Sequence, residues 1–212
     1  MANTSKIRGF LPVKHVTGAP YNGQSNIYAV AASDGTALFV GDPVVLDGGA
    51  HVNGIATVTK AAAAGPVLGV VVGIVNTKLD PVSGSMTAGS IALDTPQYRP
   101  ASTFQYVQVC DAPDVVYEVE QATGSNSAYT FLVADVGLNA SHSTVAGSTT
   151  TGASGATLDM STKATTATLP WKILGAVQRV DNETVSGTSQ SVKLHVKINS
   201  ATLGNGTGAT GQ

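Results

Sequence analysis

Short Val-rich runs, each bounded by Gly, Asp or Pro, are the feature that most restricts how this chain can fold. Residues 41–49 read GDPVVLDGG, residues 66–75 read PVLGVVVGIV, and the same pattern returns in residues 171–182. Valine is stiff about χ1 and packs well on a pleated sheet, whereas Gly, Asp and Pro favour turns. No amphipathic helical stripe of useful length separates these runs. The sequence therefore predicts an all-β protein with little helix, built as a Gly/Val-rich β-barrel or β-sandwich, with a jelly roll among the options.

Alternation of apolar and polar residues locates the strands. The clearest strands by this criterion are residues 55–59 and 192–198. Residues 26–30 are also predicted to form a strand, and the apolar run of residues 67–75 is the best candidate for a central strand. Residues 103–110 and 115–119 also alternate, the first imperfectly, and the turn residues Asp111-Ala112-Pro113-Asp114 lie between them. Because Asp bonds its own downstream backbone and Pro fixes φ, this segment predicts a tight turn, and the two strands are predicted to form a hairpin.

Composition divides the chain into three parts. Residues 1–24 show no persistent period and are predicted to form an extended, locally basic N-terminal arm, and removal of residues 1–21 is predicted to leave the rest folded. Residues 25–199 are predicted to form the β body, with a sub-boundary near residues 80–100 as an option, and residues 200–212 a flexible tail. The Ser/Thr/Gly-rich residues 147–155 are predicted to be an exposed, mobile excursion.

Charge is scarce in this chain. Charged residues make up 11% of the sequence, against roughly 25% in ordinary soluble domains, and the net charge is −2. The basic residues are scattered along the sequence, which argues against nucleic-acid binding. The first residues lack the apolar core of a signal peptide, and the longest apolar run, residues 67–75, is far shorter than the ~20 residues that span a bilayer. A membrane protein is therefore not expected.

Residue types that carry chemistry do not cluster in the sequence. No histidine lies two to four residues from another histidine or a cysteine, so no metal site is predicted; the four are His15, His51, His142 and His195. Cys110 is alone in an apolar run, which predicts a buried small side chain. Glu118 and Glu120 share a strand face, but no aromatic residue interleaves them, so a solvated acidic face is favoured over a glycosidase pair. No nucleophile elbow or phosphate loop is present, and neither catalytic residues nor a cofactor are predicted.

Several segments, taken in order, resemble a tailed-bacteriophage head decoration, or cement, protein. They are residues 41–45, 66–73, 106–119, 172–175 and 192–199, and the resemblance leaves out residues 141–157. It implies a non-enzymatic virion protein, made in the host cytoplasm, on the outer surface of the capsid. Such proteins are often homotrimers and clamp neighbouring subunits of the major capsid protein, stabilising the expanded, DNA-filled head.

Seven residues are predicted to contact the capsid or a sister subunit. Four are apolar residues of the arm, and three are residue types enriched at interface hot spots: Ile7, Phe10, Leu11, Val13, Tyr98, Arg99 and Trp171. For Trp171, simple core packing is the favoured alternative. The other function that fits the sequence is a head-fibre or surface-adhesion module that binds host glycans, although an aromatic content of 5% is low for such a site.

Overall fold

The computed structural model describes residues 3–52, 54–75, 77–79, 86–88, 97–122, 130–184 and 191–203. These residues form the strands β1 (Leu11–His15), β2 (Asn26–Val30), β3 (Leu38–Phe39), β4 (Pro43–Ala50), β5 (Ala56–Lys60), β6 (Gly69–Val75), β7 (Thr77–Leu79), β8 (Met86–Ala88), β9 (Tyr98–Arg99), β10 (Gln105–Cys110), β11 (Val115–Glu120), β12 (Asn139–His142), β13 (Leu158–Ala164), β14 (Trp171–Ala176) and β15 (Lys193–Ile198). A 3₁₀ turn covers Val133–Asp135, and the described residues contain no α-helix. The predicted all-β class is confirmed.

Five strands close into a barrel in the order β10-β2-β5-β4-β6. Neighbouring strands are antiparallel except β2 and β5, which pair in parallel through Ala29 and Thr57. The barrel interior is filled mainly by valines, among them Val30, Val44 and Val107. Small branched side chains suit this position because a barrel of few strands has a narrow interior.

The remaining long strands form a six-stranded antiparallel sheet in the order β1-β11-β15-β14-β12-β13. Its buried face carries residues such as Tyr117 and Trp171, and this core also includes Val70 of β6 and Cys110 of β10. The sheet and the barrel wall therefore share one core. Cys110 is fully buried, as predicted.

The predicted hairpin of residues 103–110 and 115–119 is wrong. Both strands form, as β10 and β11, but β10 pairs with β2 and β6 whereas β11 pairs with β1 and β15. β10 is buried on both sides, with Val107 and Val109 facing the barrel interior and Cys110 the core of the sheet. Burial on both sides explains its imperfect alternation. The turn after β10, at residues 111–114, thus carries the chain from the barrel to the sheet. The optional sub-boundary near residues 80–100 stays a prediction, because most of those residues lie outside the described ones.

The first described residues lie on the body of the protein. β1 is an edge strand of the sheet, and the Phe10 amide donates to the Gly41 carbonyl at 3.0 Å, which joins this segment to the barrel. Residues 16–21 fold back on β1, since the Tyr21 amide donates to the Val13 carbonyl. The predicted arm is therefore integrated into the fold, and its removal would take a strand from the sheet.

The Ser/Thr/Gly-rich loop is only partly exposed. Residues 148–151 are exposed, but Gly152 and Ser154 are buried, and Ala153 forms a parallel bridge with Val40. The prediction of a wholly exposed excursion is wrong because this loop is hydrogen-bonded to the barrel. At the other end of the chain, the Thr202 amide donates to the Val67 carbonyl, and residues 204–212 of the predicted tail lie outside the described residues.

Candidate functional site

The four apolar residues predicted to anchor the arm lie in different surroundings. Phe10 is fully buried, and its ring stacks on Trp171 with the centroids 4.1 Å apart and the planes 16° from parallel. Leu11 and Val13 are partly buried in β1, whereas Ile7 is 39% exposed. Phe10 thus has no surface to offer a neighbour, which corrects its predicted role, and Ile7 retains the most.

Trp171 lies at the centre of a buried aromatic cluster. Phe10 stacks on its indole, Tyr117 meets it edge to face at 5.6 Å, and its Nε1 donates to Nδ1 of His142 at 3.2 Å. Nε2 of His142 faces the Ala61 carbonyl at 3.4 Å. Burial lowers the pKa of His142 to about 4, so the ring is neutral near pH 7. Its Nδ1 can therefore accept a hydrogen bond from the indole N–H of Trp171. Trp171 is a core residue and not an exposed anchor.

Arg99 is also interior, although its residue type suggested an interface. Its guanidinium donates to three backbone carbonyls, those of Thr103 at 2.7 Å, Thr36 at 2.6 Å and Ala31 at 2.7 Å. Burial lowers the pKa of Arg99, against the opposing charge of Asp34. Arg99 therefore fastens separate loops to β9 and has no exposed surface for a partner.

Tyr98, the neighbour of Arg99 in β9, is partly exposed. Its ring stacks on Phe39, with the centroids 5.1 Å apart and the planes 9° from parallel. Phe39 itself is 3% exposed. Tyr98 covers this buried ring and keeps some surface that a partner can reach.

A buried ion pair that the sequence did not reveal lies where the Ser/Thr/Gly-rich loop meets the barrel. Nζ of Lys60 lies 3.1 Å from Oδ1 of Asp42, which is fully buried. The same carboxylate accepts from the Ser154 hydroxyl at 2.6 Å and from the Phe39 amide at 3.0 Å. A buried carboxylate requires such partners because its desolvation is costly. Asp42 is therefore a structural anchor.

A charged groove of about 500 Å³ opens on the outer side of β11 and β15. It is lined by Lys6, Arg8, Gly9, Leu11, Glu118, Val119, Glu120, Arg179, Asp181 and Lys193. Arg179 grips Glu118 with two hydrogen bonds of 3.0 and 2.8 Å, and its Nε donates to Asp181 at 3.2 Å. Desolvation by burial is the largest single influence on the pKa of Arg179 and lowers it, but Glu118 and Asp181 together outweigh that influence, so the pKa is raised. Arg179 therefore holds Glu118 and Asp181 in place on this surface.

Glu120 holds the first residues against this groove. Its Oε1 accepts from the Ser5 hydroxyl at 2.7 Å and its Oε2 from the Lys6 amide at 2.8 Å, while Nζ of Lys193 donates to the Thr4 carbonyl at 3.3 Å. Glu120 is only 4% exposed. The predicted solvated acidic face is thus wrong at Glu120, whose charge is used to fix residues 5 and 6.

The described residues contain no group of three or more His, Cys, Asp or Glu placed to hold a metal ion. Nor does any helix of the described chain have the length and apolar character to cross a membrane. Comparison of the chain with protein-family models, with curated proteins and with solved structures finds no match. What the protein does must therefore be inferred from its own residues.

Proposed function

We propose that this chain is a non-enzymatic decoration protein of a tailed-bacteriophage virion. On this proposal it is made in the host cytoplasm, assembles as a homotrimer and binds the outer surface of the expanded capsid. There it clamps neighbouring subunits of the major capsid protein and stabilises the DNA-filled head, without a cofactor and without touching the nucleic acid. The segments that resemble decoration proteins, and their order along the chain, support this proposal.

The observation that carries the proposal is how the buried polar side chains are used. Asp42, Arg99, Glu120 and His142 each contact atoms that lie far away in the sequence of the same chain. Such contacts hold loops and the first residues on one rigid body. A rigid body suits a protein that reinforces a shell, because a rigid protein loses less conformational freedom when it binds.

Repetition lets weak contacts suffice for this task. A few kcal/mol at each contact, on the order of 10²-fold or more in affinity, is multiplied when linked subunits engage several neighbours at once. A charged content of 11% makes most of the surface neutral, so contacts made outside the charged groove and its surroundings vary little with ionic strength.

The test mixes the purified chain with expanded, undecorated heads of tailed bacteriophages and follows co-sedimentation. We expect saturation at a fixed ratio to the major capsid protein and a higher temperature of head disruption. Ile7→Ser should weaken binding, whereas Val52→Ser, in the turn between β4 and β5 and 84% exposed, should not. Failure of the wild-type chain to bind heads, with binding to cell-surface glycans instead, would replace the proposal with the adhesion module.

A further inference from the structure

The outer face of the six-stranded sheet gathers positive charge that is scattered in the sequence. Lys14 of β1 lies opposite Val116 of β11, Val116 lies opposite Lys197 of β15, and Lys197 lies opposite Lys172 of β14. Directly paired residues on neighbouring strands point to the same side of a sheet. Lys14, Lys197 and Lys172 therefore form one row across four strands, which we call the lysine row.

The charged groove extends this row. Four more cationic residues line the groove, Lys6, Arg8, Arg179 and Lys193. With the lysine row they make up seven of the eleven Lys and Arg residues of the chain, and we call these seven residues the basic face. A net charge of −2 thus conceals a strongly cationic side.

The carboxylates near the basic face are already engaged. Glu118 and Asp181 accept from Arg179, and Glu120 accepts from residues 5 and 6. At the edge of the sheet, Asp114 pairs with His15 at 2.9 Å. These four carboxylates are fewer than the seven cations, so the face keeps a surplus of positive charge.

The cations of the lysine row are available to a partner. Lys14 is exposed and Lys197 partly exposed, and within the described part of the chain neither ammonium group has an ion-pair partner. Lys172 donates to the Gly137 carbonyl at 3.1 Å and is partly exposed. The pKa of His195, which lies opposite Glu118, is lowered mainly by burial; Lys14 and Arg179 lower it further, and Glu118 opposes them.

We infer that the basic face is a docking surface for an acidic protein surface, which, if the proposed function holds, belongs to the major capsid protein. This identification of the partner's chemistry rests on that proposed function. Charge complementarity of this kind orients a partner and fixes its register. Among the described residues that line the groove none is aromatic, so bases would have nothing to stack on, which argues against a single-stranded nucleic acid as the occupant.

The first experiment compares two double variants that change the net charge equally. Lys14→Gln with Lys197→Gln neutralises two exposed members of the basic face, and Val52→Glu with Thr150→Glu adds acidic groups at exposed positions elsewhere. We expect the first variant to bind heads about tenfold more weakly at low salt, with a smaller difference at high salt, and the second to bind like wild type. If the wild-type chain decorates heads and both variants do so equally well, the basic face is not the docking surface while the proposed function stands.

The second experiment does not need heads. Poly-L-glutamate and a single-stranded DNA of similar length are titrated into the labelled full chain and followed by NMR. We expect poly-L-glutamate to shift amide signals of β1, β14 and β15, and the lysine variant to weaken that binding. Tighter binding of the DNA, no shift with either probe, or equal weakening by both variants would overturn the inference, whatever the outcome with heads.

Discussion

The substitution Phe10→Ala tests whether the first residues are part of the folded body of the protein. The ring is fully buried, stacks on Trp171 at 4.1 Å and meets His142 edge to face at 6.1 Å. The Phe10 backbone is also bonded to Gly41 at 3.0 Å, so the chain on either side cannot easily move into the space that the ring leaves.

The size of the effect follows from this burial. Truncating a buried Phe to Ala costs about 3–5 kcal/mol, the range reflecting how far the neighbours relax into the cavity. For a chain of this length each kcal/mol lowers Tm by about 2–4 °C, so we expect Tm to fall by roughly 6–20 °C.

The assay uses the one tryptophan of the sequence, Trp171, whose emission reports directly on the site. Thermal melts followed by Trp171 fluorescence and by circular dichroism are compared for wild type, Phe10→Ala and Ile7→Ala. Ile7 is 39% exposed, so its variant should stay within about 0.5–1 kcal/mol of wild type. Melting of Phe10→Ala together with wild type would refute the packing described here and restore residues 1–24 as an independent arm.

Three further outcomes are expected. Glu120→Gln should loosen the first residues, because the neutral amide holds its two donors less strongly; trypsin should then cut after Lys6 faster, and Asp181→Asn should leave that rate unchanged. Arg99→Ala should cost about 3 kcal/mol or more, since three carbonyls lose their donor, and Arg99→Lys should recover only part of the lost Tm; a variant as stable as wild type would contradict this role. Stability should fall as pH drops from 6.5 towards 4, because the unfolded chain takes up a proton on His142 that the folded ring, with a pKa of about 4, does not. The full effect is about 3 kcal/mol, and His142→Gln should flatten the dependence of Tm on pH in that window; identical curves would assign the acid limit to other groups.

Strand positions could be predicted from the sequence because their signals are local. β2 covers Asn26–Val30, as predicted, and β15 differs from the predicted residues 192–198 by one residue. In β15, Leu194 and Val196 alternate with Lys193 and His195. This alternation indicates which side of the strand faces the core.

Partners across space could not be predicted in the same way. Alternation shows which side of a strand is buried but not which strand lies beside it. Proximity in the sequence therefore predicts that the strands on either side of residues 111–114 pair with each other, whereas in the structure each pairs with other strands. Asp42 and Ser154 are 112 residues apart, and the lysine row draws Lys14 and Lys197 from distant parts of the chain. The burial of Phe10 could not be predicted because a single apolar ring in a short segment without periodicity does not show which side faces the core.

The order of the strands sets a sequence of events for folding. β1 and β11 are neighbours in the sheet, yet every strand of the barrel is encoded between them. Closing so long a loop costs entropy, and prior folding of the barrel lowers that cost by bringing residues 111–114 back towards β1. A mutation that delays barrel folding would leave the edge of β11 open during synthesis. The first strand of a neighbouring nascent chain could then take that place, and entangled oligomers would form where separate subunits should.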